Sequence, residues 1–139
     1  MIDQPCVRRR TLMALAVLAA LAAPAAAEDW PARPVRLVVP QTPGGATDVL
    51  ARWVGQKLGE RWGHPVVVEN RGGAAGNIGT DLVAKSPADG YTLLFTYAGS
   101  QAINQALYPK LPFDPVKDFQ PVATMAVVPF FMVVAPKFP

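Results

Sequence analysis

The chain has 139 residues, with 13 Lys and Arg against 10 Asp and Glu, and 51% of it is hydrophobic. That length permits one ordinary domain or part of a larger one, and a charged fraction of only 17% excludes a disordered chain. A single cysteine excludes both a disulfide framework and a cysteine-based zinc site.

A pI near 9.3 raises the question of nucleic acid, and the position of the charge answers it. Arg8, Arg9 and Arg10 form a cationic start, and residues 12–23 are uncharged and apolar. Pro24 breaks the run, and Ala25-Ala26-Ala27 supplies the small-x-small pattern of a signal-peptidase site, which predicts cleavage before Glu28. The apolar run is well short of the roughly 20 residues a membrane-spanning helix needs. Arg9-Arg10-Thr11-Leu12-Met13 also fits a loose twin-arginine pattern, so both the Sec and the twin-arginine routes stay open. Cys6 lies ahead of the apolar run, the wrong place for lipoprotein acylation. With the leader's three arginines and Asp3 set aside, residues 28–139 hold 10 basic and 9 acidic residues and no cysteine. No Lys/Arg cluster remains to track phosphates, so nucleic-acid binding drops out.

Residues 28–34 form a proline-punctuated lead-in with Trp30 as its anchor. Residues 35–39, VRLVV, read as a buried strand stopped by Pro40. Pro43-Gly44-Gly45 marks a tight loop, and a helix is expected to start at Thr47 or Asp48, both capping residues. Leu50, Val54 and Leu58 make its apolar stripe, flanked by Val49, Trp53 and Trp62, with Arg52, Gln56 and Glu60 on the other side. After the turn at Gly63-His64-Pro65 the unit repeats. Residues 66–70 read as a second strand, residues 71–76 as a second glycine loop, and Asn77 as the cap of a helix running to about Lys85. A turn at residues 86–90 leads to a third strand over residues 91–97 and a small polar loop, Ala98-Gly99-Ser100. This alternation predicts an α/β fold with a parallel sheet. Prolines 109, 112, 115 and 121 interrupt the next stretch, and residues 122–135 are apolar enough for two short strands joined near Pro129. No helix follows to cover the sheet, so the domain is expected to be incomplete.

Ligands of open α/β sheets bind at the carboxyl ends of the strands, and all three small-residue loops follow strands. Two lead into helix N-termini, which favour an anion, and their glycines allow the backbone to approach it. The alternative is that the glycines only make turns. Neither loop holds the Gly-Lys-Ser/Thr of a phosphate loop, and Gly73-x-x-Gly76-x-x-Gly79 is not a dinucleotide fingerprint. The one histidine, His64, sits in a turn away from that edge and reads as a surface residue. No nucleophilic cysteine, metal-binding cluster or paired carboxylates stand out, so the expectation is no enzyme, no metal and no cofactor. Asp48 is read as a capping residue rather than a ligand-facing one, and Arg71 as a partner of Glu69 or another acid rather than a cleft cation.

Trp30-Pro31-x-Arg33-Pro34 running into residues 35–40, Pro43-Gly44-Gly45-x-x-Asp48 and Ala51-Arg52 together resemble the start of the Bug (TctC-like) family. Those proteins are periplasmic substrate-binding proteins of tripartite tricarboxylate transporters. Pro65 with residues 66–71, Gly73-Ala74-x-Gly76-x-Ile78-Gly79, residues 89–94, Asn104, Leu107-Tyr108, residues 111–115 and Asp118-Phe119-x-Pro121-Val122 extend the match over nearly all of residues 28–139. The resemblance implies a type II periplasmic-binding lobe, a mostly parallel sheet flanked by helices, with residues 1–27 as signal peptide and residues 28–139 as the first of two lobes. It implies a monomer in the periplasm that binds a small tricarboxylate or dicarboxylate and delivers it to membrane permease subunits. By motif position it points to Pro43, Gly44, Gly45, Gly73, Ala74 and Asn77 as ligand-binding residues, with Ser100 and Gln101 more loosely. Family members are more than twice as long, so the second lobe is expected to be absent. The competing expectations are a truncated fragment that neither folds nor binds alone and, behind it, an enzyme dependent on His64.

Overall fold

The computed structural model describes residues 29–127 together with residues 129, 133, 134, 136 and 137. The expected leader, residues 1–27, lies outside the described residues. Residues from Arg33 onward form a compact unit of their own.

Val35–Val39 (β1), Val66–Asn70 (β2) and Thr92–Leu94 (β3) form a parallel sheet in the order β2-β1-β3. The central strand is the most buried, as expected of a β-branched run flanked on both edges: Val35, Leu37, Val38 and Val39 are all buried, and only Arg36 is exposed. Leu37 and Val39 pack with Ala51 of the first helix, and Val66, Val68, Leu93 and Phe95 close around them. β3 is shorter than the expected 91–97 because only three of its residues pair with β1. Its pairing covers Arg36 to Val38, bounded by Arg36 N–H to Tyr91 O at 2.8 Å and Phe95 N–H to Val38 O at 2.9 Å.

The first helix, α1, spans Ala46–Trp62 and starts one residue earlier than expected, with Gly45 rather than Thr47 or Asp48 as its N-cap. Asp48 nonetheless serves that end of the helix, accepting the Gly44 amide at 2.9 Å from the third helical position. Gly63 closes the far end in a left-handed turn. The buried face is Ala51, Val54 and Gly55, not the expected Leu50/Val54/Leu58 stripe, and Val49 and Trp53 stand exposed. The reason is close approach: a Cβ on Gly55 would lie 3.3 Å from the Val66 side chain, so small residues bring the helix onto β2.

A 3-10 turn, Ala74–Gly76, leads into α2, Asn77–Ala84. Asn77 is its first residue rather than its cap, and Gly76 takes the cap position. Gly79 is required at the contact between this helix and the loop before it: a Cβ there would lie 2.5 Å from the Arg71 carbonyl oxygen and 3.0 Å from Pro40 Cα. The expected small loop at residues 98–100 is a π-helical turn, Gly99–Ile103, running directly into a short helix, α3, Asn104–Leu107. Phe113 is buried and meets Phe119 edge-on at 6.0 Å. The two strands expected over residues 122–135 are not formed across 121–127, which carry no regular structure and are exposed, and several of the residues beyond lie outside those described.

Candidate functional site

The carboxyl ends of all three strands open into one cleft of about 420 Å³. Pro40, Gln41 and Thr42 follow β1, and Gly45, Ala46 and Thr47 bring in the start of α1. Gly72, Gly73, Ala75 and Gly76 come from the loop after β2, and Tyr97, 41% exposed, from beyond β3. No charged side chain is among these lining residues. An anion held here would be held by neutral donors.

The start of α1 is built to supply them. Its first internal bond is Val49 N–H to Gly45 O, so the amides of residues 46–48 precede the helical ladder, and Gly45 has no side chain with which to cap them. Those N–H groups carry the positive end of the helix dipole at the cleft wall.

Behind the wall stands Asp48, only 3% exposed. Its Oδ2 accepts the Gly44 amide at 2.9 Å and Arg52 Nε at 3.1 Å, and its Oδ1 accepts Asn70 Nδ2 at 2.9 Å. Arg52 donates on to Asn70 Oδ1 at 3.0 Å. The Arg52 hydrogen bond foremost, then the Gly44 amide and Asn70, lower the Asp48 carboxyl from 3.8 to about 2. The expected helix-end role is thus the one the structure assigns. Arg71 is likewise committed: its Nε meets Glu69 Oε1 at 2.6 Å, and Arg36 Nη2 meets Glu69 Oε2 at 2.6 Å. These two arginines, Arg36 first, hold Glu69 below the usual carboxylate range.

The second loop is held by neutral groups. Asn104 Nδ2 donates to Ala75 O at 3.0 Å and to Asn77 Oδ1 at 2.7 Å, and Thr80 Oγ1 donates to Gly76 O at 2.8 Å. All three side-chain donors and acceptors belong to buried residues. Ala74 and Ala75 both adopt left-handed backbone, at φ 48° and 55°, which is costly for a residue with a Cβ.

Of the residues singled out from the sequence, Gly45 and Gly73 line the cleft. Pro43, Gly44 and Ala74 are exposed neighbours in the same loops, with the Gly44 amide turned to Asp48. Asn77 is buried against Asn104. Ser100 is fully buried, paired with Thr96 and with the Tyr97 carbonyl. Gln101 keeps its side-chain oxygen buried without a hydrogen-bond partner among the described residues. Sequence reasoning passed over Thr42, Gly72, Ala75 and Tyr97. Polar Gln41-Thr42 immediately after a strand, and an aromatic ring at the end of the third, were the available signals. His64 precedes β2, at the opposite end of that strand from the cleft. Among the described residues, no group of three His, Cys, Asp or Glu side chains could hold a metal.

The family described as "Tripartite tricarboxylate transporter family receptor" matches residues 50–139. The chain belongs to that family. Its members are substrate-binding receptors and not enzymes. BugT of Bordetella pertussis is 47% identical over 120 residues, covering 86% of this chain and 37% of its own. A solved R. palustris protein with adipate is 48% identical, with a TM-score of 0.61, and the match covers 63% of this chain and 29% of that one. MatC from Rhodopseudomonas palustris, with bound malate, is 40% identical with a TM-score of 0.64, covering 67% and 32%. Solved periplasmic binding proteins share the fold, and the described part of the chain is an incomplete lobe of that type. The chain spans little more than a third of the length of the curated relatives it matches.

Proposed function

We propose that this TctC-type receptor chain binds a small carboxylate, of dicarboxylate or tricarboxylate type, in the periplasm and presents it to the permease subunits of a tripartite transporter, with residues 1–27 as its export leader. The observation that carries the reading is the uncapped N-terminus of α1 facing a glycine loop across a cleft without charged side chains. A carboxylate fits there because its two oxygens can take several backbone N–H groups at once, and the helix dipole favours the negative charge. Gly45, Ala46 and Thr47 on one wall and Gly73 on the other are the contacts this reading assigns, with Tyr97 as the apolar floor against the ligand's carbon chain. The adipate and malate held by two relatives support the ligand class.

Titration of the labelled 139-residue chain with malate, adipate and the neutral diamide of succinate, followed by backbone amide NMR shifts, tests it. Both acids should move the amides of residues 45–47 and Gly73, with dissociation constants of about 1 mM for one lobe acting alone, and the diamide should move none. Equal responses to the diamide, or shifts only outside the cleft, would sink the assignment.

A further inference from the structure

The two walls of the cleft are joined through one side chain that does not line it. Asp48 takes the Gly44 amide on the first loop and Asn70 Nδ2 at the end of β2, the point from which the second loop departs. The same Asn70 Nδ2 reaches back to Gln41 O at 3.3 Å, so both ends of the first loop are tied to β2. Beyond Asn70 the loops touch through their backbones: a Cβ on Gly72 would lie 3.3 Å from Gln41 C and from Thr42 N. A side chain at position 72 would therefore press chiefly on the backbone of the first loop.

We propose that Asp48 is a positioning residue that, together with Asn70, sets the spacing between the two cleft loops. Arg52 completes the arrangement by neutralising a carboxylate that would otherwise repel an anion one residue away from Thr47. The inference rests on the carboxylate-binding reading, because spacing matters to a ligand that must reach both walls. It adds a function for a residue that never meets the ligand.

Asp48→Asn, Asn70→Ala and the double variant, made in the full 139-residue chain, test the proposal with malate and adipate as probes. Asn at position 48 turns an acceptor into a donor that faces the donors of Asn70 and Arg52. Each single variant should weaken both acids by about tenfold at temperatures well below its melting midpoint, the scale of one charge-assisted hydrogen bond, and the double variant no further than the worse single. A role in stability alone would lower the midpoint and leave affinity within about twofold of the parent, or give losses that simply add, and either result overturns the proposal. Should the parent bind neither acid, the ligand reading fails separately, and ligand-free spectra decide the positioning role. Asp48→Asn should then shift the amides of Gly72 and Gly73 along with Gly44, and changes confined to the first loop and α1 overturn it. If Asp48→Asn does not fold, Asn70→Ala, which keeps the Asp48–Gly44 and Asp48–Arg52 bonds, carries the same measurements.

Discussion

The two loops that form the cleft do the same work by opposite means. The first, after β1, is shaped by a charge: Asp48 with Arg52, Asn70 and the Gly44 amide. The second, after β2, is shaped by neutral amides and a hydroxyl, Asn104, Asn77 and Thr80, and it holds two alanines in left-handed backbone. A half-exposed arginine lets water share the first network, whereas the side chains of the second, Asn104, Asn77 and Thr80, are buried. Both loops lead into a helix whose glycine N-cap offers no side chain, so the difference teaches that such a start can be set either by a compensated anion behind it or by neutral hydrogen bonds that fit one geometry.

The largest expected break falls on the second loop. Asn104→Ala leaves the Ala75 carbonyl and Asn77 Oδ1 without their donor and should lower stability by about 2 kcal/mol in urea titrations. Arg52→Ala, the matching cut in the first loop, should cost less, because its guanidinium is about half exposed and water replaces it. An equal or larger loss at Arg52 would reverse the contrast.

Acid separates the loops next. Asp48 has a lowered folded-state pKa, so its contribution is complete above 3.8 and is lost as the pH falls through about 2. The Gly44 amide resonance should titrate across that window, while the Asn104 side-chain amide, bound to neutral acceptors, stays put. Asp48→Asn should flatten the Gly44 response. A Gly44 titration centred near the ordinary aspartate value would remove the charged network from the comparison.

The smallest effect sharpens the picture of strain. Ala75→Gly removes the Cβ that a φ of 55° penalises, while adding backbone freedom to the unfolded chain. The relief outweighs the added freedom by about 0.5 kcal/mol, so the thermal midpoint should rise slightly. A fall would mean that the left-handed turn carries little strain and that the alanine methyl packs usefully.

Much of the site's location was legible before any fold was known. Strand, glycine loop and helix recur in order, and parallel strands put such loops on one edge; the family resemblance, by motif position, points to Gly45 and Gly73, and both line the cleft. The identities of the other contacts were less legible. Asn77 reads equally well as a helix cap or a ligand donor, and only its partner, Asn104, 27 residues later, settles its use. The α1 stripe misled for a related reason. Leu50 and Leu58 have the right period and hydrophobicity, but the helix settles where Ala51 and Gly55 let it come closest to β2. Periodicity reports which residues are apolar; it does not weigh how near two backbones can come.

By itself the sequence determined the strand cores, the order of elements from β1 to β3, the glycine loops and the near-neutral charge of residues 28–139, because these follow from local propensity, periodicity and counting. Its motifs also pointed to the family, which the match over residues 50–139 then showed. Tertiary structure decided where the polar side chains were used. Asp48, Asn70, Asn77, Ser100 and Asn104 each have hydrogen-bonding capacity that a ligand could claim, and in the fold each is engaged by a neighbour. A hydrogen bond needs its partner within about 3 Å, and residues distant in sequence reach that range only when the chain is folded. What stays available to a ligand is therefore what folding did not use: backbone amides at an uncapped helix start and the glycine loop opposite them.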